Sequence, residues 1–420
     1  MRRMRHRHLS ISGPGLFRLL RHLRWRVSAR STVQGTGAGA PVQPHTVLLF
    51  PSGLPIVAGG ALRAPRAGPH LPCQKGKEIG GAARVSPEAK GPTMTDPIRI
   101  STPAALLGGI PALLGFVPER SVIAVLFDGN RIQLVIRADS TDAHAAGRVT
   151  REARTHHSTA VFLVAVAESR YASEALTQLD QIRHALDEDS VRVPTALYTH
   201  RLEGGASWTD LDHYTTGTVT DPAESPVTTA HAVVLGRHVA KDRVELEARY
   251  RATEPAIDTT AAVAEYATAP TEFARHTLAA LIAATTTNTA ASDELAARVS
   301  VLVVTTKPHR DAVLALGAID AENAHHLMAG IARRARHSAR VEILTLAGVF
   351  AYATGNGPEA GMAFDQALTL AHRMRMPAPT LLTLAEAALD RAVNPDRIRE
   401  LFGPGTEAAT ALGVELPDQA

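Results

Sequence analysis

The chain changes character at Met94. Residues 1–93 carry 15 Lys/Arg against Glu78 and Glu88, a net +13, and are rich in Pro, Gly and Arg without helical or strand period. Residues 94–420 carry 29 Lys/Arg against 39 Asp/Glu, a net −10, and their apolar residues recur at regular spacing. A like-charged, aperiodic segment cannot bury enough apolar surface to fold. Residues 1–93 are therefore expected to be a disordered basic segment, an over-extended gene start that folding does not need. The high pI of the chain belongs to that segment and says nothing of the rest.

The opening MRRMRHRHLS resembles the charged start of a signal peptide, but Arg18, Arg21, Arg24 and Arg26 break the apolar run that should follow. Residues 47–62 are the most membrane-like piece. They fall short of the roughly 20 residues a span needs and contain Pro51, Pro55, Gly53, Gly59 and Gly60. Cys73 is the only cysteine, so a disulfide within the chain is impossible and residues 94–420 hold neither a thiolate metal cluster nor a cysteine nucleophile. A cytoplasmic setting without membrane attachment is expected.

From Thr102 the pattern is that of an α/β fold. Thr102 and Pro103 suit the start of a short apolar helix, which Pro111 and Gly115 are expected to break. Residues 121–127 (SVIAVLF) and 131–137 (RIQLVIR) flank Asp128-Gly129-Asn130, a hairpin signal. Residues 141–157 read as a polar helix. Residues 160–166 (AVFLVAV) read as a central strand, apolar on both faces. Residues 172–188 place Ala172, Ala175, Leu176, Leu179, Ile182 and Leu186 on one helical stripe, and residues 191–198 follow as a fourth strand. This order implies an α/β sandwich with a mixed sheet over residues 94–255. Residues 203–239 look loop-rich, with helical character near Ala230 and over 241–250.

Residues 256–420 read as an all-α helical bundle. Residues 299–306 (VSVLVVTT) are strand-like in composition, but their setting between helical runs favours a buried helix. Helices are then expected at 322–337, 341–354, 358–372, 379–390 and 396–402. Leu344, Gly348, Ala360, Phe364 and Ala367 fall at tetratricopeptide-type (TPR-like) positions, with Gly348 letting a neighbouring helix close in on it. His372 stands where such a repeat ends in proline, and no second 34-residue copy registers. The reading is one TPR-like hairpin in a bundle, not an array.

The segment TPAALLGGIPALLGFVPERSVIAVLF, residues 102–127, resembles the opening of the actinobacterial domain of unknown function 4192 family. Arg137-Ala138-Asp139 is similar to that family's Arg-x-Asp after the second strand. Trp208, the group Gly236, Arg237 and Arg243, and the helix pair containing FAYATGNGPEAGMAFDQAL also match its pattern. Many relatives carry Cys-Cys-Pro after the tryptophan. This chain has Thr218-Val219-Thr220-Asp221-Pro222 there, so no essential thiol is carried over. The resemblance spans about residues 99–402 and implies an architecture without implying an activity.

The usual chemical motifs are missing. His156-His157 and His325-His326 are adjacent pairs whose side chains point about 100° apart on a helix, a poor arrangement for chelation. There is no His-Glu-x-x-His, Walker, Gly-x-Gly-x-x-Gly or Gly-x-Ser-x-Gly pattern. Cofactors and metals are not expected, and no catalytic residue stands out. Arg333, Arg334, Arg336 and Arg340 form a basic run without interleaved aromatics, which reads as a solvated face and not a nucleic-acid track. The candidate ligand contacts are Trp208, Asp212, His213, Arg237 and Arg243, in which arginines would clamp an anion beside a stacking ring. Each has a plainer structural reading: turn-capping acids, paired arginines and a packed tryptophan. The first expectation is a non-catalytic interaction or regulatory protein that meets protein partners through its C-terminal helices. The alternative is an enzyme or small-ligand sensor with a site in the Trp208–Arg243 loop region.

Overall fold

A computed structural model describes residues 46–49, 56–58, 98–235 and 237–417. The expectations about Cys73, Gly236 and most of residues 1–93 lie outside the described residues. Within 1–93, two short strands are described, β1 (Thr46–Leu49) and β2 (Ile56–Ala58). The piece that read as most membrane-like thus supplies backbone hydrogen-bonding to a sheet edge. Among the described residues, no helix is long and apolar enough to cross a membrane.

The body of the sheet is β4 (Ser121–Asp128), β5 (Arg131–Asp139), β6 (Ala160–Val166), β7 (Arg192–Thr199), β8 (Ser207–Asp210) and β9 (Thr216–Thr218). Its spatial order is β5-β4-β6-β7-β8-β9, extended beyond β5 by β1, by β2 and by β3 (Ile98–Ile100). β6 and β7 run parallel, and the other pairs of the body run antiparallel, so the sheet is mixed. The β4–β5 hairpin turns at Gly129-Asn130, with Gly129 at φ +57°. The parallel pair needs a crossover, and α3 (Ala172–Glu188) supplies it.

Alternation along β4 divides the core. Val122, Ala124 and Leu126 face a smaller cluster beneath α2 (Ala145–Thr155) and α3. Ile123, Val125 and Phe127 face the other way, into a core shared with the helices. Every residue of β6 is buried, as its uniformly apolar sequence requires. The two parts expected from the sequence therefore share one apolar core.

α1 (Pro103–Leu114) starts at Thr102, whose Oγ1 accepts from the Ala105 N–H at 3.1 Å. It runs through Pro111 and ends at Gly115, in the left-handed region at φ +77°. The expected break at Pro111 is not there. A proline inside a helix forfeits one backbone bond, but residues 106–114 are all buried and their packing keeps the turn helical.

Residues 203–239, expected to be loop-rich with helical character near Ala230, hold the helix α4 (Pro226–Leu235) there and also the short strands β8 and β9, which were not expected. Strands of four and three residues carry too little pattern to be read. A short helix, α5 (Arg243–Ala248), leads into the helical half. This comprises α6 (Thr260–Thr268), α7 (Pro270–Thr286), α8 (Asp293–Thr305), α9 (Lys307–Ala312), α10 (Leu316–Arg334), α11 (His337–Ala353), α12 (Gly357–Arg373), α13 (Thr380–Asp390), α14 (Pro395–Arg399) and α15 (Phe402–Ala411). α8 contains the β-branched run and is helical, as expected. α11 and α12 pack closely, with Gly348 against Phe364.

Candidate functional site

The five residues marked by the sequence are held by separate sets of partners. Trp208 on β8 is buried, and its indole covers Gly217 of β9. A Cβ at Gly217 would fall 2.6 Å from the Trp208 ring. The indole N–H is buried and has no acceptor among the described residues. Asp212 pairs with Arg183 of α3 at 2.8 Å. Asp210 closes the β8–β9 turn by accepting from the Asp212 and His213 N–H groups at 2.9 and 3.0 Å, with His213 Nδ1 at 3.2 Å. That is the geometry of a turn-capping carboxylate.

Arg237 bridges the halves. Its guanidinium meets both Glu322 oxygens on α10, at 3.2 and 2.8 Å, and donates to the Thr354 carbonyl and hydroxyl at 3.0 and 2.7 Å. Arg243 donates to Glu247 one turn on, at 2.7 Å. It also lies near Arg137 of β5. Burial lowers the Arg137 pKa and the Arg243 charge lowers it further, while Asp139 opposes both.

Arg137 is the centre of a buried group on the helix-facing side of the sheet. Its Nε donates to Ser121 Oγ at 2.8 Å, its Nη2 bonds Asp139, and its Nη1 is buried without a partner among the described residues. Asp365 of α12 completes the surroundings of Arg243. Burial pushes the Asp365 carboxyl up to about 7, against the pull of Arg243 and with help from Glu386 and Glu247.

The densest ionisable constellation was not legible in the sequence. Glu359, in the first turn of α12, is buried and accepts on both oxygens. Tyr250 Oη donates to Oε2 at 2.6 Å, with His325 Nε2 at 3.2 Å from the same oxygen. Arg249 and Asn356 donate to Oε1 at 2.9 and 3.3 Å. Burial would raise the Glu359 pKa, but the hydrogen bonds and charge of His325, Tyr250 and Arg249 hold it well below the usual carboxylate range. His325 of α10 is 1% exposed. Burial lowers its pKa, yet the bond and charge of Glu359 outweigh that and raise it. Burial, reinforced by Glu359, raises the Tyr250 pKa well above its ordinary value, which keeps the phenol a neutral donor.

The only sequence trace of this group is the pattern Asn356-x-x-Glu359, a helix-start signature in which the Asn356 side chain accepts from the Glu359 N–H at 3.4 Å. Arg340 ties the same region together through bonds to the Ala332 and Tyr250 carbonyls. These contacts form a polar seam along α5 and α12. Among the described residues, no group of three His, Cys, Asp or Glu is placed to hold a metal ion.

The family model described as "Domain of unknown function (DUF4192)" matches residues 103–396, well over half of the chain. The chain belongs to the DUF4192 family. No curated protein and no solved structure matches it significantly. The DUF4192 match opens at the first residue of α1 and closes in α14. It therefore contains the whole of the seam: Arg137 on β5, Arg243 and Tyr250 at α5, His325 on α10, and Glu359 and Asp365 on α12.

Proposed function

We propose that this DUF4192 chain is a non-catalytic interaction or regulatory protein of the cytoplasm, whose helical half, with the TPR-like pair α11–α12, meets a protein partner. The observation that carries the reading is the internal closure of its most reactive-looking group. Both oxygens of Glu359 are taken by donors from its own chain, and His325 and Tyr250 are buried against it. General acid–base work needs a group within reach of a substrate proton, and these three reach each other instead. The basic run supports the absence of a nucleic-acid role. Arg334 pairs with Asp293, Arg336 pairs with Glu254, and Arg340 is buried among carbonyls.

The test is affinity capture of the full chain from its native host, followed by reconstitution from purified components. A protein that binds the purified chain stoichiometrically, and loses binding when exposed side chains of the helical half are changed, supports the proposal. Purified DUF4192 chain that turns over a small molecule refutes it.

One observation favours the alternative, a small-ligand sensor in the Trp208–Arg243 region. Among the described residues, the Trp208 N–H and Arg137 Nη1 are buried donors without acceptors, and buried donors are ordinarily matched. A ligand that accepts from either would raise the melting temperature.

A further inference from the structure

We propose that Tyr250, His325 and Glu359 form a proton-operated latch that fastens the segment following α5 onto α10 and α12. His325 Nδ1 lies 3.0 Å from the Ala347 main-chain oxygen, which only accepts, so Nδ1 carries a hydrogen in both charge states. Nε2 faces Glu359 Oε2 and the Tyr250 hydroxyl, each at 3.2 Å. With Nε2 protonated, the imidazolium donates to Glu359, and the Tyr250 hydroxyl donates to the same oxygen. Once Nε2 loses its proton it faces the carboxylate as acceptor against acceptor. The Tyr250 hydroxyl then serves as its donor and turns away from Glu359. One proton therefore decides whether α10 and α12 are joined directly and whether Tyr250 is bound to the carboxylate.

The groups that act on His325 are Glu322 and His326 on α10, the Ala347 carbonyl on α11, Glu359 on α12 and Tyr250 of the connecting segment. One contact further out, Arg237 binds Glu322 and Thr354, and Arg249 and Asn356 bind Glu359. Glu359 and Glu322 favour the imidazolium, while burial opposes it. His326 is pushed down, first by burial and then by His325, so it stays neutral where His325 titrates. The His325 pKa is raised above its ordinary value of 6.5, so its contribution is complete below that value and is lost as pH rises through the folded one. The latch is closed in mild acid and opens on the alkaline side. This device stands whether or not the chain proves to bind a protein.

The test is an NMR titration of the 15N-labelled imidazoles in the full chain, with His325 assigned by its loss in His325→Gln. Amide exchange at Leu246, Arg249 and Tyr250 is followed alongside, corrected for intrinsic rates. The latch predicts a His325 pKa above 6.5 with Nδ1 protonated throughout. It also predicts protection that falls about tenfold for each unit by which the folded pKa exceeds the unfolded one. Tyr250→Phe should raise the His325 pKa further, because the neutral ring loses its donor. Glu359→Gln should lower it and abolish the pH dependence of exchange. A neutral His325 at pH 6, titration with no change in protection, or both variants moving the pKa the same way would each overturn the latch. Tyr250→Phe removes one oxygen atom, so the test survives if the Glu359 variant does not fold.

Discussion

Phe364 lies with its ring against the backbone of Gly348. A Cβ at Gly348 would fall 2.6 Å from Phe364 Cδ1 and closer still to Cε1. Both residues are buried, on helices joined by a three-residue turn, so a side chain at 348 has to displace the ring within the core. Glycine costs up to ~1 kcal/mol against alanine inside a helix, and this contact is its reason. Gly348→Leu should destabilise the protein by roughly 1–3 kcal/mol, the usual cost of overpacking, despite leucine's better helix propensity. Chemical denaturation measures it, and a variant as stable as the parent would contradict the packing described.

Phe116 and Phe127 anchor the α/β half. Phe127 packs on Phe162 in a tilted pair with ring centroids 4.6 Å apart, and Phe116 is bridged to Ala240, which ties the connecting segment to the end of α1. Each is almost fully buried, so replacement by Ala should cost about 3–5 kcal/mol. A loss below about 1 kcal/mol at Phe127 would be incompatible with a central β4.

Arg137 combines burial with a single charged partner at Asp139. Replacing it by Met leaves that acid in a protein-lined site without its counter-charge, a change that costs about 3 kcal/mol or more. Combining Arg137→Met with Asp139→Leu should recover part of the loss, because the uncompensated charge is gone. A double variant less stable than either single one would show that the pair contributes more than mutual neutralisation.

The local pattern of the fold was legible and its long-range polar contacts were not. The stripe on α3 and the uniformly apolar β6 follow from residue spacing, and so does the register of Gly348 with Phe364. The β-branched run of α8 was read correctly from its neighbours against its own composition. β8 and β9 were missed because their few residues include Gly217 and threonines. The seam was missed for a different reason. His325 and Glu359 are 34 residues apart, and Tyr250 lies 109 residues from Glu359, so no local spacing brings them together. As a sequence, His325-His326 suggests only a chelating pair, whereas the structure buries His325 and points it at a carboxylate. Arg237 and Arg243 were recognised as arginines to explain, and each has an acid beside it.

Asp365 gives the pH dependence its clearest sign apart from the latch. Its folded pKa of about 7 lies above its ordinary value of 3.8, so the folded state holds the proton more tightly. Stability from this group is complete below about 4 and falls as pH rises through 7. Asp365→Asn should therefore raise the stability at pH 8 by at least the ~1.4 kcal/mol that one pKa unit represents, seen as a higher melting temperature, and change little at pH 4. Thermal melts at the two pH values decide it, and stabilisation at pH 4 alone would reverse the assignment.

The proposed function has the polar seam hold the protein to itself without serving a small-molecule substrate. A thermal-shift screen of the full purified chain against metabolites and nucleotides, read at pH 7, tests it most directly. A ligand of the native state present at a hundred times its Kd adds about 2.7 kcal/mol, which for a protein of this size is a rise of roughly 4 °C. The account predicts that no compound produces such a rise. A compound that does, and whose effect is abolished by Trp208→Phe or Arg137→Met, would contradict it and place a binding site on the helix-facing side of the sheet.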